Sequence, residues 1–136
     1  SGGMGTMGYS LAAASGAECA DKTAEVIAVC GDGSFQMQLM ELATAIQHGI
    51  NVKVIVMRNR FLGMVREVQE RSYENRLVGV SLDGSPDFCK VAEAYGMGNM
   101  IADSEESAIE GIKKLISSDN PFLLEVAVPE LEKTIL

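Results

Sequence analysis

The sequence has little of several residue types: no tryptophan, a single histidine (His48) and three cysteines in 136 residues. One histidine excludes a histidine-rich metal cage within this chain. The cysteines Cys19, Cys30 and Cys89 are odd in number and lack C-x-x-C spacing, which argues against a disulfide framework or a zinc ribbon. We expect them to be small buried side chains in a reducing compartment, the cytoplasm, although a Cys–His dyad stays open as an alternative.

Positive charge is also scarce, with 11 basic against 19 acidic side chains and a formal net charge of -8. A field of that sign repels phosphate, so we expect no nucleic acid and no anionic membrane as partner. No run approaches the ~18 apolar residues of a membrane span. The first residues, SGGMGTMG, lack the basic region of a secretory signal. Since 47% of the residues are apolar, we expect one domain, 1–136, with a sizeable core.

Short runs rich in Val, Ile and Leu alternate with longer helical stretches. The runs predict strands at 24–30, 52–57, 100–102 and 122–128. The stretches predict helices over 8–20, 34–48 and 61–73, a helix that Ser85 caps and Gly96 closes, and a last helix capped by Asp103 or Ser104. This alternation indicates an α/β domain of three layers, a mainly parallel sheet covered by helices on both faces.

Two of the predicted helices show an apolar face with helical spacing. In the 34–48 helix the predicted face consists of Phe35, Leu39, Leu42, Ala43 and Ile46. In the last helix the predicted stripe consists of Ile109, Ile112 and Ile116. Gly49 is the expected residue after the end of the first of these helices.

Ligands of parallel sheets bind beyond the carboxyl ends of the strands, which directs attention to the residues after Cys30 and Met57. Asp32, within Gly31-Asp32-Gly33, follows one strand and opens a helix, whose N-terminus favours an anion. A carboxylate there repels a phosphate unless a divalent cation lies between them, and Mg²⁺ is the usual one. Asn59 comes one helix and one strand later, so the crossover places a second oxygen ligand beside Asp32.

The glycines of Gly3-x-Gly5-x-x-Gly8 match the spacing of a dinucleotide fingerprint. That fingerprint needs a strand before it, and only two residues precede this one. Because Asp32 follows a later strand, a nicotinamide site stays open. The alternative is that these glycines allow the backbone to approach another group closely.

Three segments carry a wider resemblance: SGGMGTMGYSLAAASGA, GDGSFQMQLMELATAIQHGINVKVIVM and FLGMVREVQ. Together with the G-D-G to Asn spacing, they resemble the C-terminal cofactor domain of acetolactate synthase catalytic subunits, which depend on thiamine diphosphate. The resemblance implies Mg²⁺-dependent decarboxylation of pyruvate and carboligation to a second 2-keto acid, in branched-chain amino-acid biosynthesis.

The resemblance also implies roles for individual residues. Asp32, the Asn59 amide and the backbone carbonyl of Phe61 are the implied Mg²⁺ ligands, and Gly33 and Ser34 bind the diphosphate. The resemblance implies that Gly5, Thr6 and Met7 contact the aminopyrimidine half of the cofactor. The Gly5 carbonyl would accept a hydrogen bond from the 4′-amino group, and Met7 would hold the cofactor bent. Leu62, Gly63 and Met64 line the diphosphate end, and Met64 and Val68 the substrate pocket.

Two positions depart from the family pattern. Arg58 stands where the family has the first of two asparagines, and Val68 where synthases that favour 2-ketobutyrate usually carry tryptophan. Arg58 is also the first of five arginines, which all lie between 58 and 76. They are interpreted as a solvated helix face balanced by nearby glutamates or, alternatively, as a rim that attracts 2-keto-acid anions.

The family supplies further parts that this chain lacks. The glutamate that activates the cofactor lies on a pyrimidine-binding domain of a partner subunit, so no catalytic residue is assigned here and the isolated chain is expected to be inactive. The chain is interpreted as a piece of a larger subunit that forms a homodimer or a higher homo-oligomer, with FAD and a small regulatory subunit as further candidates. The alternatives are another thiamine-diphosphate decarboxylase or ligase, and a non-catalytic nucleotide-binding module.

Overall fold

A computed structural model describes residues 3–133, which form four strands and six helices. The strands are β1 (Ile27–Gly31), β2 (Lys53–Arg58), β3 (Gly98–Ala102) and β4 (Phe122–Ala127). The helices are α1 (Tyr9–Ala20), α2 (Asp32–Gln36), α3 (Glu41–Gln47), α4 (Gly63–Ser72), α5 (Phe88–Ala94) and α6 (Glu105–Ser117). None of the helices in residues 3–133 combines the length and the apolar character that a membrane crossing requires.

The strands form a single sheet in the order β1-β2-β4-β3, and every neighbouring pair is parallel. Gly31 at the end of β1 pairs with Met57, and Arg58 at the end of β2 pairs with Ala127. The carboxyl ends of three neighbouring strands therefore meet at one edge. The predicted parallel α/β sheet is confirmed.

Helices cover both faces of the sheet, as the alternation predicted. On one face Val54, Val56 and Leu123 belong to a large buried cluster that also contains residues of α1, α2, α3 and α5. On the other face Leu124 packs with Leu115 of α6 in a smaller cluster. Each such side chain taken out of water contributes ~1.5–3 kcal/mol, so this packing holds the strand ends in place.

The predicted 34–48 helix is wrong as a continuous element, because the chain forms α2 and α3 with turns between them. Successive bonds reach back only three residues there, for example from Gln38 N to Phe35 O and from Ala43 N to Met40 O. A stretch with 3.0 residues per turn advances the buried face faster than an α-helix does. As a result Ala45 is buried, whereas Ala43 and Ile46 of the predicted face are exposed.

The predicted apolar stripe of α6 is also wrong as the buried face. Ile109, Ile112 and Ile116 are 48%, 40% and 51% exposed, and α6 meets the sheet through Gly111 and Leu115 instead. A Cβ on Gly111 would collide with Leu124, so the helix lies close to β4 on its small residue.

Helix caps agree with the sequence in part. Ser104 caps α6, reciprocally with Ser107, which settles the choice between Asp103 and Ser104. Helix α5 begins later than predicted, because Asp87 and not Ser85 provides the cap by accepting from Lys90 N.

Two of the three cysteines are buried as expected, Cys30 in β1 and Cys89 in α5, whereas Cys19 is exposed. All three are free thiols. Burial, and to a smaller extent the nearby carboxylates of Asp32 for Cys30 and of Glu125 for Cys89, raise the pKa of these two thiols to about 11.

A thiol reagent is therefore expected to distinguish the cysteines. At pH 8 a pKa of about 11 leaves roughly one thiol in a thousand as the reactive thiolate, so only Cys19 of the folded chain should react quickly. Titration with a chromogenic disulfide should detect one rapidly reacting thiol per chain in buffer and three thiols per chain in denaturant. Cys19→Ser should remove the fast equivalent, and rapid reaction of more than one native thiol would contradict the burial described here.

Candidate cofactor site

A cavity of about 370 Å³ opens at the carboxyl edge of the sheet, between the ends of β1 and β2 and the loop that leads to α4. Its walls combine polar oxygens, glycines and methionines: Met7, Gly31, Asp32, Gly33, Ser34, Met57, Asn59, Phe61, Leu62, Gly63, Met64, Val65 and Val128. Asp32 and Asn59 thus line one cavity, as the length of the crossover predicted. The walls of this cavity also contain most of the residues that the resemblance assigned to the cofactor.

Asp32 is the most deeply placed polar group of this cavity, with 2% of its surface exposed. Its Oδ1 accepts from Gly33 N at 2.9 Å, and its Oδ2 accepts from Arg60 N at 2.7 Å. A buried carboxylate is costly without such partners. The two bonds fix the carboxylate between the end of β1 and the loop after β2, and each oxygen keeps a further lone pair.

The loop from Asn59 to Gly63 is held by a segment that the sequence did not reveal. Leu62 N donates to Val80 O, Leu82 N donates to Arg60 O, and both bonds are 2.8 Å long. This pairing occupies residues 60–62, which explains why α4 begins at Gly63 and not at the predicted residue 61. No periodic pattern marks Val80 and Leu82, because they act through backbone groups.

Asn59 itself lies in a tight turn, in which its Oδ1 accepts from Phe61 N at 3.0 Å. The next residue, Arg60, has a positive φ of 61°, a conformation that costs a residue with a Cβ some strain. The bond from Arg60 N to Asp32 offsets this cost. Strain of this kind is concentrated at functional sites, which fits the position of the loop at the cavity.

Gly33 is the point of closest approach in the cavity. A Cβ there would lie 2.6 Å from Leu62 Cδ2 and 3.3 Å from both Leu82 Cδ1 and Met7 Cε. Ser34 Oγ accepts from Gly8 N at 2.9 Å, which ties the segment before α1 to the start of α2. Gly8 has a φ of 79°, a left-handed conformation that glycine adopts without strain.

The remaining predicted residues lie at different distances from the cavity. Met7 and Met64 line it, whereas Gly5 and Thr6 do not belong to its wall. Val68 lies one turn beyond Met64 on α4, outside the cavity wall, and is 44% exposed. Gly3, Gly5 and Gly8 lie directly before α1, and a Cβ on Gly8 would lie 3.2 Å from the side chains of Met37 and Gln38, which fits the alternative of a close approach of the backbone to another group.

The interpretation of the five arginines as a solvated face is wrong for two of them. Arg66 is 1% exposed, with Nε 3.2 Å from Glu70 and its guanidinium 5.2 Å from the centre of the Phe61 ring. Its Nη1 also donates to the carbonyl of Glu130. Arg66 therefore joins the chain after β4 to the loop that carries the candidate metal ligands. Arg58 is half-buried and forms an ion pair with the buried Glu125.

The donor set at this edge consists of oxygens. Residues 3–133 contain no group of three or more His, Cys, Asp or Glu side chains suited to a metal ion. A carboxylate, an amide oxygen and backbone carbonyls are the hard ligands that Mg²⁺ takes, with phosphate oxygens and water completing its shell. The orientation of Asp32 by two backbone N–H groups fits such an ion and an anionic cofactor at the same cavity.

A parallel sheet with a largely apolar cavity that contains a few oxygen ligands, at the carboxyl ends of two adjacent strands, is typical of an α/β cofactor-binding domain. Residues 1–126 match the family described as "Thiamine pyrophosphate enzyme, C-terminal TPP binding domain". The chain belongs to this family.

Its relatives agree with the resemblance noted in the sequence. The chain is 43% identical over 129 residues to the acetolactate synthase of Arthrospira platensis, covering 94% of this chain and 22% of the relative. It is 47% identical over 127 residues to the mitochondrial acetolactate synthase catalytic subunit of Aspergillus candidus, covering 93% and 18%. The chain thus spans about a fifth of the length of these relatives.

A solved structure supports the fold. The thiamine diphosphate-dependent 4-hydroxybenzoylformate decarboxylase of Rhodococcus jostii RHA1 superposes with a TM-score of 0.84 at 30% identity, covering 90% of this chain and 23% of that one. The predicted fold class and the family resemblance are both confirmed.

Proposed function

We propose that this chain is the diphosphate- and metal-binding domain of an acetolactate synthase-type transferase. The enzyme would use thiamine diphosphate and Mg²⁺ to decarboxylate pyruvate and to join the product to a second 2-keto acid. One observation carries the proposal: Asp32 and Asn59, from two adjacent strand ends, line the same cavity. The family match and the acetolactate synthase relatives support it.

In this proposal each side of the cavity has its own task. Asp32, the Asn59 amide and the Phe61 carbonyl would hold Mg²⁺, and Gly33 and Ser34 would contact the diphosphate. Bound thiamine diphosphate supplies the electron sink for breaking the bond between the ketone and the carboxylate. Leu62 and Gly63 would exclude water from the diphosphate end.

The segment before α1 would contact the other half of the cofactor. Met7 lies in the cavity wall, and Gly5 and Thr6 precede it, so a cofactor that extends out of the cavity along this segment would meet their backbone. The Gly5 carbonyl would accept a hydrogen bond from the aminopyrimidine. Met64 and Val68 on α4 would face the substrate.

The rest of the enzyme is proposed from the family. The activating glutamate would come from a pyrimidine-binding domain of a partner subunit in a homodimer or a higher homo-oligomer. FAD, a small regulatory subunit, a cytoplasmic location and a role in branched-chain amino-acid biosynthesis belong to the same proposal. The alternative is another thiamine-diphosphate 2-keto-acid decarboxylase or ligase, since the Rhodococcus jostii enzyme that shares the fold is a decarboxylase by name.

Calorimetric titration tests the proposal. Thiamine diphosphate should bind to the intact subunit that contains this chain in Mg²⁺ and not in EDTA, whereas NAD should not bind in either. The subunit should convert pyruvate to acetolactate, and the purified 136-residue chain should show no turnover above a heat-treated control. Binding of NAD, or metal-independent binding of thiamine diphosphate, would overturn the site assignment, and release of acetaldehyde as the main product would favour the decarboxylase.

Val68 offers a prediction about the acceptor. A tryptophan there would offer a flat apolar surface to the extra methylene of 2-ketobutyrate, and valine leaves that space open. One methylene in an apolar pocket is worth only ~1–3 kcal/mol, roughly 10–200-fold. We expect weak discrimination between pyruvate and 2-ketobutyrate, and a raised preference for 2-ketobutyrate in Val68→Trp.

Competition between the two acids, with the ratio of acetohydroxybutyrate to acetolactate as readout, measures this preference. Val78→Trp is the control, because Val78 is 75% exposed and lies beyond α4, the helix that carries Val68 and the cavity residue Met64. A strong 2-ketobutyrate preference in the unmodified enzyme would show that another residue sets the acceptor.

A further inference from the structure

An ion pair between a half-buried arginine and a buried glutamate lies beside the candidate metal loop. Arg58, the last residue of β2, places Nη1 2.7 Å from Oε1 of Glu125 in the neighbouring strand β4. Glu125 is 3% exposed, so its carboxylate is almost completely removed from water. A buried carboxylate is strongly destabilising without a cation, and Arg58 supplies one.

Arg58 is fixed from three directions. Glu125 holds its guanidinium at one end, and the guanidinium carbon lies 5.4 Å from the ring centre of Phe88, which packs edge-to-face on Phe35 of α2. The backbone carbonyl of Arg58 accepts from Val128 N at 3.0 Å. The end of β2 is thereby tied to β4, to α5 and, through the rings, to α2.

This anchoring bears directly on Asn59. The residue before it is held by Glu125, and the residue after it, Arg60, is held by Asp32 through its backbone N–H. Asn59 also lines a second cavity of about 520 Å³, on the side where Arg58 and Glu125 lie. Asn59 thus borders both cavities, and its Oδ1 accepts from Phe61 N, so the anchored neighbours set the backbone position from which its amide enters this turn.

We propose that Arg58 and Glu125 form a positioning pair that directs the Asn59 amide into the cofactor cavity and so sets the affinity for the metal ion. This inference rests on the proposed function, in which Asn59 is a metal ligand. The pair assigns a role to Arg58, one of the two positions that depart from the family pattern. Its planar guanidinium reaches the Glu125 carboxylate on β4, and the face of the guanidinium packs on Phe88.

Metal titration of the intact subunit tests the pair. Mn²⁺ serves as the probe, with free Mn²⁺ measured by electron paramagnetic resonance in the presence of thiamine diphosphate. Arg58→Met and Glu125→Gln should lower the Mn²⁺ affinity about 10–100-fold, the effect of losing an outer contact of a metal ligand. Arg58→Lys keeps the positive charge and should therefore bind Mn²⁺ more tightly than Arg58→Met does. Affinity for thiamine diphosphate at saturating Mn²⁺ should be unchanged, whereas a general loss of structure would lower both affinities.

Matched variants separate the outcomes. Arg76→Met removes an exposed arginine that lies 4.0 Å from Glu74 and should leave Mn²⁺ binding unchanged. The double variant Arg58→Met/Glu125→Met leaves no unpaired buried charge, so it tests the pair even if the single variants fold poorly, and it too should bind Mn²⁺ weakly. Wild-type Mn²⁺ affinity in the double variant, or in a folded Arg58→Met, would overturn the positioning role. Absence of Mn²⁺ binding in the unmodified subunit would instead overturn the proposed function.

Discussion

Asp32→Ala is expected to abolish the Mg²⁺-dependent binding of thiamine diphosphate to the intact subunit. The Asp32 carboxylate is buried and oriented by the N–H groups of Gly33 and Arg60, and it is the only anionic side chain among the described residues that line the cavity. Without it, nothing of that charge holds a cation against the diphosphate. Loss of an outer contact already costs ~10–100-fold in metal affinity, so loss of this ligand should cost more than ~100-fold.

Calorimetric titration with thiamine diphosphate, in Mg²⁺ and in EDTA, measures this loss. Asp103→Ala is the matched control, because Asp103 also follows a strand at the same edge of the sheet but is exposed. Asp32→Asn keeps the shape of the side chain and removes its charge, so its affinity for thiamine diphosphate should lie between those of Asp32→Ala and Asp103→Ala. If the affinity of Asp32→Ala equalled that of Asp103→Ala, Asp32 would not be the metal ligand.

Gly33→Ala should destabilise the domain and weaken cofactor binding together. The added Cβ would lie 2.6 Å from Leu62 Cδ2 and 3.3 Å from the side-chain ends of Leu82 and Met7, and of these residues Leu62 and Met7 line the cavity. Overpacking of this kind typically costs ~1–3 kcal/mol. Displacement of Leu62 should also narrow the diphosphate end and lower the affinity for thiamine diphosphate by about tenfold or more, equivalent to ~1.4 kcal/mol.

Gly16→Ala should change the free energy of unfolding in the opposite direction. Gly16 lies in α1 with no atom within 4 Å of the Cβ position, so alanine there should raise the free energy of unfolding by ~0.5–1 kcal/mol. Urea unfolding of both variants, followed by cofactor titration, compares them. Equal unfolding free energies for Gly33→Ala and the unmodified chain would show that Leu62 moves aside without cost.

The sequence predicts the sheet and the core of the site because both depend on local patterns. The runs of Val and Ile mark the strands, and the distance from Asp32 to Asn59 is the length of one crossover, which is enough to place both residues at one edge. Interactions between distant backbone groups leave no such pattern. The pairing of Leu62 with Val80 and the turns that divide the 34–48 stretch were therefore not predictable from periodicity.

Contacts of charged side chains with distant parts of the chain could not be predicted from the sequence for a similar reason. Arg58 and Arg66 resemble surface residues in sequence, because neighbouring glutamates offer partners at helical spacing. The structure pairs Arg58 with Glu125, 67 positions away, and bonds Arg66 to the carbonyl of Glu130. Only the strand order brings these groups together.

That strand order also governs how the domain can be made on the ribosome. Strand β4 is the last of the four strands in sequence but lies between β2 and β3. Until residues 122–127 have emerged, β3 has no hydrogen-bonding neighbour among the strands of residues 3–133, and β2 presents an open edge. Vectorial synthesis is therefore expected to leave β3 unpaired beside a two-stranded β1–β2 sheet, until β4 joins them in one late step. Glu125 arrives with that strand, so Arg58 acquires its counter-ion only when the sheet closes.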